Sequence, residues 1–241
     1  MTEDVFKIGD KVLSSRFILG SGKTSHYTPE LVRSAIYDAG VDMISIAVRY
    51  LEDAERLMAE LPDTITYLPN TLGASTAREA IDMAHTARDR GLGNLIKIEI
   101  MNDSKYLLPD NNETLEATRV LSEEGYVVLP YIYPGLPTGR KLVEAGAAAL
   151  IPLASPSGSS KGLATRDFIQ QYIAEFDVPI IVDAGIGHPY QACEAMELGC
   201  DGVMANTALA TAGNLPLMAG AFRSAVIAGR QAYLSQIDNR A

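Results

Sequence analysis

The stretch Asn94-Leu95-Ile96-Lys97-Ile98-Glu99-Ile100 decides how the rest of the chain is interpreted. Its isoleucines alternate with a leucine, a lysine and a glutamate, which is the period-two pattern of a β-strand. One face of this strand is aliphatic, as expected where helices cover it, and the other face carries both Lys97 and Glu99. In a closed barrel that second face is the interior, where a charged lysine is costly. A buried amine beside a carboxylate is either a structural ion pair or a nucleophile.

About eight apolar runs of strand length alternate with helical patterns, which is the spacing of βα units. The runs lie at 17–19, 43–48, 66–68, 95–100, 127–131, 148–153, 179–182 and 202–205. Helices are predicted at 30–39, 51–61, 114–124, 138–145, 165–175, 189–198 and 216–232, and another begins at the capping box of Thr76 and Glu79. No Gly/Ser linker or change in composition divides the chain. The sequence therefore predicts an α/β protein, a single (βα)8 TIM barrel domain over 1–241 that starts with an N-terminal hairpin at 1–15.

Composition limits the partners that the chain can have. Its 241 residues carry a formal net charge of −10 without a basic cluster, which argues against nucleic acid or an anionic membrane. A phosphorylated small molecule is compatible with this charge, because backbone amides and one lysine can hold a phosphate. The N-terminal Met1-Thr2-Glu3-Asp4 is unlike a signal peptide, and no apolar run reaches the roughly 20 residues of a membrane span. We therefore expect a cytoplasmic protein.

In such a barrel the chemistry lies at the carboxyl ends of the strands. The fourth run ends with Lys97 and Glu99, and the seventh with Asp183-Ala184-Gly185-Ile186-Gly187. After the seventh and eighth strands, where this fold commonly binds phosphate, the glycines let the backbone approach an anion and Asn206-Thr207 adds donors. Asp183 itself either caps the next helix or carries protons.

Two other patterns in the sequence do not indicate a functional site. Gly20-Ser21-Gly22-Lys23 resembles part of a nucleotide-binding loop but lacks the complete motif, so that interpretation is discarded. Cys193 and Cys200 lack the spacing of metal ligands, so we expect packing roles for both and no metal.

A series of motifs resembles the thiazole synthase of bacterial thiamin biosynthesis, in the same order and through nearly the whole chain. The motifs are Arg16-Phe17-Ile18-Leu19-Gly20-Ser21-Gly22-Lys23, Ile46-Ala47-Val48-Arg49, Leu68-Pro69-Asn70-Thr71, Asn94-Leu95-Ile96-Lys97-Ile98-Glu99, Leu107-Leu108-Pro109-Asp110, Val182-Asp183-Ala184-Gly185-Ile186-Gly187 and Asn206-Thr207-Ala208. Tyr50 departs from the family, many of whose members have a second arginine after the residue that matches Arg49.

The resemblance implies a (βα)8 transferase that needs no cofactor or metal of its own. It would build the thiazole phosphate carboxylate of thiamin from 1-deoxy-D-xylulose 5-phosphate, dehydroglycine (2-iminoacetate) and a thiocarboxylate on a small ubiquitin-like sulfur-carrier protein. Lys97 would form an imine (Schiff base) with the sugar ketone, and Glu99 and Asp183 would transfer protons. The substrate and its phosphate would contact Gly158, Ala184, Gly185, Asn206 and Thr207. A dehydroglycine-supplying enzyme and a homo-oligomeric assembly are expected as well.

Imine chemistry agrees with these positions. At pH 7 only about one part in a thousand of an ordinary lysine is neutral, so we expect burial to lower the pKa of Lys97 and favour the nucleophile. Carboxylates nearby can then move protons at the carbons next to the imine. Two alternatives stay open: another imine-forming sugar-phosphate barrel, of the aldolase or pyridoxal phosphate synthase type, and a barrel that binds without catalysis.

Overall fold

An antiparallel hairpin of β1 (Phe6–Ile8) and β2 (Lys11–Leu13) begins the structure, a computed structural model that describes residues 4–21, 28–103, 105 and 107–236. Gly9 makes the turn with a φ of +59°, in the left-handed region that glycine tolerates. The side chains of Phe6, Ile8 and Leu13 are buried among residues of the barrel interior. The hairpin therefore covers the amino end of the barrel. The hairpin predicted at 1–15 is confirmed for the described residues, and residues 1–3 lie outside the described ranges.

Eight parallel strands follow and form one sheet. They are β3 (Phe17–Leu19), β4 (Met43–Ala47), β5 (Thr66–Asn70), β6 (Leu95–Ile98), β7 (Val127–Ile132), β8 (Ile151–Pro152), β9 (Ile181–Val182) and β10 (Gly202–Ala205). Their order in the sheet is β8-β7-β6-β5-β4-β3-β10-β9. Backbone hydrogen bonds join the two outermost strands, since Ile181 N donates to Leu150 O at 2.9 Å and Asp183 N to Pro152 O at 3.2 Å. The sheet thus closes into a barrel, and the predicted (βα)8 fold is confirmed.

Helices connect the strands and pack around them. They are α1 (Pro29–Tyr37), α2 (Leu51–Met58), α3 (Ala77–Asp89), α4 (Asn111–Glu123), α5 (Leu136–Glu144), α6 (Arg166–Glu175), α7 (Pro189–Leu198), α8 (Thr207–Ala210) and α9 (Leu215–Gln236). The helix predicted from residue 114 begins earlier, because the side chain of Asp110 accepts hydrogen bonds from Asn112 N and Glu113 N and caps the first turn. The short α8 was not predicted.

The side chains of β6 divide between two environments, as the alternation predicts. Ile96 and Ile98 pack outward with α3 and α4, in a cluster that includes Ala84 and Leu121. Leu95 instead belongs to the interior cluster, with Ile18, Leu68, Leu129, Ile151, Ile181 and Met204. These aliphatic side chains fill the barrel near the amino ends of the strands, and the polar residues lie at the carboxyl ends.

A charged cluster ties the N-terminal segment to the last helix at the amino end of the barrel. Asp4 Oδ1 lies 2.7 Å from Arg16 Nη2 and 2.6 Å from Arg230 Nη2 of α9. Arg16 also donates to Asp201 O at 2.9 Å, just before β10. The hydrogen bond from Arg230, together with the charges of both arginines, outweighs partial burial and holds the pKa of Asp4 below its usual value. The hairpin is therefore attached by charge as well as by apolar packing.

Two kinds of feature are absent from the described ranges. No helix in them is both long and apolar enough to cross a bilayer. Nor do three or more His, Cys, Asp or Glu side chains within them gather as a metal site would require.

Candidate active site

Three charged side chains meet inside the barrel at the carboxyl ends of β6 and β9. Lys97 Nζ lies 2.9 Å from Glu99 Oε2 and 2.6 Å from Asp183 Oδ2. Asp183 is 86 residues from Lys97 in the sequence, and only closure of the barrel brings them together. The side chain of Lys97 is 3% exposed and that of Asp183 is 15% exposed. The structure thus brings together all three residues that were predicted to be catalytic.

The expected lowering of the pKa of Lys97 was wrong. Burial does disfavour the charged ammonium, but the carboxylates of Asp183 and Glu99 outweigh it, so the pKa of Lys97 lies above its usual value. The reason is the short distance to two opposite charges, one of which comes from a distant part of the sequence. At rest Lys97 is therefore an ammonium, and the two carboxylates lie within hydrogen-bond distance of its nitrogen.

Hydrogen bonds fix the backbone of Glu99 and the carboxylate of Asp183. Thr71, just after β5, uses its hydroxyl twice: it accepts from Glu99 N at 2.8 Å and donates to Glu99 O at 3.0 Å. Asp183 Oδ1 accepts from Ala184 N at 2.7 Å, which leaves Oδ2 directed at Lys97. Both acids are therefore held where they can exchange protons with the lysine.

The loops after β8 and β9 meet at Gly185. Its φ of +70° and the position of Ser155, whose hydroxyl a side chain at Gly185 would overlap, both require glycine. Gly185 O accepts a hydrogen bond from Gly162 N at 2.9 Å. Ala184, with a φ of +63°, is also left-handed, which is unusual for alanine. Successive N–H groups in such a turn make a concavity that suits an anion.

The free donors of this turn differ from those predicted. Gly187 N donates to Gln191 Oε1 at 2.7 Å, so it is not available to an anion. Gln191 also donates through Nε2 to Ser160 O at 3.0 Å and thereby joins the two loops. By contrast, the backbone N–H groups of Gly185 and Ile186 have no acceptor among the described residues.

The other predicted contact residues lie at the same end of the barrel. Asn206 follows β10, the neighbour of β9, and its Nδ2 donates to Gly20 O at 2.9 Å. Its Oδ1 is buried and has no hydrogen-bond partner in the described parts of the chain. Thr207 begins α8 and is partly exposed. Gly158 lies in an exposed part of the loop after β8, with open space around its Cα. Gly22 and Lys23 of the discarded nucleotide motif lie outside the described residues.

Sequence reasoning missed three residues of this site: Thr71, Tyr131 and Gln191. Gln191 carried a signal, because glutamine at the third position of a helix that starts with proline is typical of an N-terminal cap. Thr71 belongs to the motif Leu68-Pro69-Asn70-Thr71, but no role was predicted for it. Tyr131 lies in an apolar run that looks like any buried strand. In the structure its ring centroid lies 4.8 Å from Lys97 Nζ.

Comparison with known proteins gives a consistent result. The family model described as "Thiazole biosynthesis protein ThiG" matches residues 7–241. The thiazole synthase of Clostridium beijerinckii is 54% identical over 237 residues, covering 98% of this chain and 91% of that protein. The thiazole synthase of Fusobacterium nucleatum is 52% identical over the same shares of the two chains.

Among solved structures, that of the Amycolatopsis orientalis BexX/CysO complex is similar to this chain. It has a TM-score of 0.85 and 37% sequence identity, and the match covers 95% of each chain.

Proposed function

Because the chain belongs to the ThiG family of thiazole biosynthesis proteins, we propose that it builds thiazole phosphate carboxylate from 1-deoxy-D-xylulose 5-phosphate, dehydroglycine and a protein-bound thiocarboxylate. Family membership itself gives a thiazole synthase of thiamin biosynthesis. It favours this activity over the aldolase, pyridoxal phosphate synthase and non-catalytic alternatives. Family membership does not establish the substrates or the lysine imine, which are part of this proposal. The observation that supports them is the Lys97 ammonium between the carboxylates of Glu99 and Asp183.

The proposed first step is addition of Lys97 to the ketone of the sugar phosphate. Glu99 or Asp183 accepts a proton from the ammonium, and the resulting amine attacks the carbonyl carbon. Loss of the carbonyl oxygen as water leaves an imine, which acidifies the hydrogens on the adjacent carbons. The carboxylates 2.9 Å and 2.6 Å from the nitrogen are close enough to take protons from those carbons and to return them.

The phosphate is proposed to bind across the loops that follow β9 and β10. The left-handed turn at Ala184 and Gly185 and the unpaired N–H groups of Gly185 and Ile186 support this placement. Asn206 and Thr207 on the neighbouring loop would add contacts, and Gly158 would approach from the loop after β8. Backbone donors of this kind explain how an acidic chain with a net charge of −10 can hold an anion.

A protein partner is the third part of the proposal. A small ubiquitin-like sulfur carrier would insert its tail at the carboxyl end of the barrel, where Lys97 lies. The complex of BexX with a second protein, CysO, supports a protein partner for this fold at 37% identity. An enzyme that supplies dehydroglycine and a homo-oligomeric assembly are expected from the family resemblance.

Borohydride trapping tests the imine. Incubation with 1-deoxy-D-xylulose 5-phosphate and borohydride should add the mass of one reduced adduct, and peptide mapping should place it at Lys97. Lys97→Ala should abolish the adduct. Lys97→Arg should abolish it too, because a guanidinium stays protonated and is no nucleophile.

Lys161→Ala is the matched control, since Lys161 lies in the exposed loop after β8. This variant should be trapped like the wild type. Labelling at Lys161 or Lys23, or no adduct in the wild type, would contradict the proposal.

A further inference from the structure

Tyr131 lies at the carboxyl end of β7 with its side chain inside the barrel, and it is only 2% exposed. Its ring faces the reacting lysine, since Lys97 Nζ lies 4.8 Å from the ring centroid. Glu99 and Asp183 bind the same ammonium, so the phenol shares one small space with all three charged groups.

The hydroxyl of Tyr131 is buried and has no hydrogen-bond partner among the described residues. Burying a hydroxyl without a partner costs about 1–3 kcal/mol, so most buried hydroxyls are paired. Tyr172 illustrates the ordinary arrangement: it is fully buried, and its hydroxyl donates to Gly135 O at 2.9 Å. The Tyr131 hydroxyl is therefore a donor that the fold itself does not use.

This hydroxyl stays protonated in the site. Burial and the negative charges of Asp183 and Glu99 raise the pKa of Tyr131 well above the usual range of a phenol. A neutral phenol in this position can donate a hydrogen bond at neutral pH.

The other polar groups nearby are poorly suited to bind a negative oxygen. The carboxylate that stays ionised accepts hydrogen bonds and cannot donate them, so it would repel the oxygen, and the other carboxyl group can donate only while it holds the proton of Lys97. The amide of Asn70 donates to Ser21 Oγ at 2.6 Å and to Ser45 Oγ at 2.8 Å, so both of its hydrogens are used. Lys97 loses its positive charge when it becomes the nucleophile, and its nitrogen bonds to the carbon that carries this oxygen.

We propose that the Tyr131 hydroxyl donates a hydrogen bond to the ketone oxygen of the sugar phosphate while Lys97 adds to the carbonyl carbon. This inference rests on the proposed imine at Lys97 and assigns a further catalytic residue to it. Addition forms the carbon–nitrogen bond and moves the π electrons of the carbonyl onto oxygen. A carboxylate takes one proton from the nitrogen, and the oxygen gains protons and leaves as water. Ammonium and ketone are thereby converted into iminium and water.

Tyr131→Phe is the direct test, because it removes the hydroxyl and keeps the ring over Lys97. Removing one donor to a developing oxyanion slows catalysis by about 10²- to 10³-fold, so the rate of borohydride-trappable adduct formation should fall by about 100-fold. The dissociation constant of the sugar phosphate should change little, since the hydrogen bond strengthens in the transition state. The melting temperature should stay the same or rise, because the fold does not use this hydroxyl.

Tyr126→Phe is the matched control. The Tyr126 hydroxyl is also buried without a partner among the described residues, but it belongs to the outer cluster with α3 and α4, where Arg88 covers the ring. This variant should form the adduct at the wild-type rate.

Each outcome has a distinct meaning. An adduct rate in Tyr131→Phe within about threefold of the wild type would overturn the role of Tyr131 and leave the imine intact, because loss of an oxyanion donor costs far more. A loss of several degrees in its melting temperature would show that the fold uses the hydroxyl, and would overturn the inference too. No adduct in the wild type would refute the proposed function itself.

Discussion

Lys97 is an ammonium at rest, which is the form that binds carboxylates and not the form that attacks a ketone. The two carboxylates that raise its pKa are also the nearest acceptors for its proton. The same contacts therefore hold the side chain in place and, in the proposed mechanism, would provide the path by which it becomes nucleophilic. Different hydrogen bonds hold the two acids. The backbone of Glu99 is bonded to the hydroxyl of Thr71, whereas the side chain of Asp183 accepts a hydrogen bond from Ala184 N.

Glu99→Gln separates the two roles of this carboxylate. Since Asp183 remains to accept the proton of Lys97, the borohydride adduct should still form at close to the wild-type rate. Turnover to thiazole should fall by about 10²-fold or more, because a general base of the later proton transfers is missing. Single-turnover trapping and steady-state product formation measure the two rates.

A glutamate far from the site provides the control for this substitution. Glu116→Gln changes an exposed carboxylate that pairs with Arg119 and should affect neither rate. If Glu99→Gln turned over like the wild type, Glu99 would be a structural ion-pair partner only.

At the scale of elements, the loop after β9 does more than connect a strand to a helix. Its left-handed turn at Ala184 and Gly185 fits against Ser155 of the loop after β8, and Gln191 of α7 joins the two loops. Such a turn keeps its N–H groups oriented before the ligand arrives. Binding then costs less entropy than if the loop had to fold around the phosphate.

Gly185→Ala should weaken binding of the sugar phosphate. The added methyl would overlap the Ser155 hydroxyl and strain a backbone with a φ of +70°, so the turn must shift. Loss of one or two hydrogen bonds to a charged group corresponds to an increase in the dissociation constant of about tenfold to a hundredfold. Calorimetric titration with 1-deoxy-D-xylulose 5-phosphate provides the measurement.

Gly220→Ala is the control, because Gly220 lies inside α9 where an added methyl meets nothing within 4 Å. It should bind like the wild type and gain a few tenths of a kcal/mol to about 1 kcal/mol of stability from better helix propensity. Equal affinity of the wild type and Gly185→Ala would place the phosphate elsewhere.

The elements were largely predictable because strand alternation and helix periodicity are local. The start of α4 also depends on a local feature, the N-terminal cap at Asp110, which the prediction of a start at residue 114 did not include. The pairing of Lys97 with Asp183 was not local: each residue could be placed on its strand, but their contact at 2.6 Å depends on barrel closure. The raised pKa of Lys97 and the place of Tyr131 depend on the same closure, so the sequence alone could not supply them.

At the scale of the whole molecule, one charged cluster holds the N-terminal hairpin against the last helix. Asp4 binds Arg16 and Arg230, which are more than 200 residues apart in the chain, roughly the length of a full (βα)8 barrel. The cluster thereby links the beginning and the end of the described barrel.

Asp4→Asn should lower the stability of the fold at neutral pH. The folded pKa of Asp4 is depressed, so its contribution is fully present above the unfolded value of about 3.9 and is lost as the pH falls through the folded pKa. Because the carboxylate is partly exposed, the loss is about 1 kcal/mol, or about 2–4 °C in melting temperature. Thermal melts at pH 7 and near pH 3 should show a difference that becomes smaller in acid, because the pH falls below the unfolded pKa towards the lower folded pKa.

Asp10→Asn serves as the control, since Asp10 is exposed in the turn of the same hairpin and its Oδ2 lies 3.7 Å from Lys11 Nζ. It should melt like the wild type at both pH values. If Asp4→Asn also did so, apolar packing alone would hold the hairpin.

The hairpin at the amino end has a kinetic consequence. Phe6, Ile8 and Leu13 pack into the amino end of the barrel and close it, whereas Lys97 points towards the rim at the other end. A sugar phosphate and the tail of a carrier protein would then enter the active site through the same opening. If the proposed function holds, a tail bound first would block entry of the sugar phosphate, so the sugar phosphate would have to bind before the carrier.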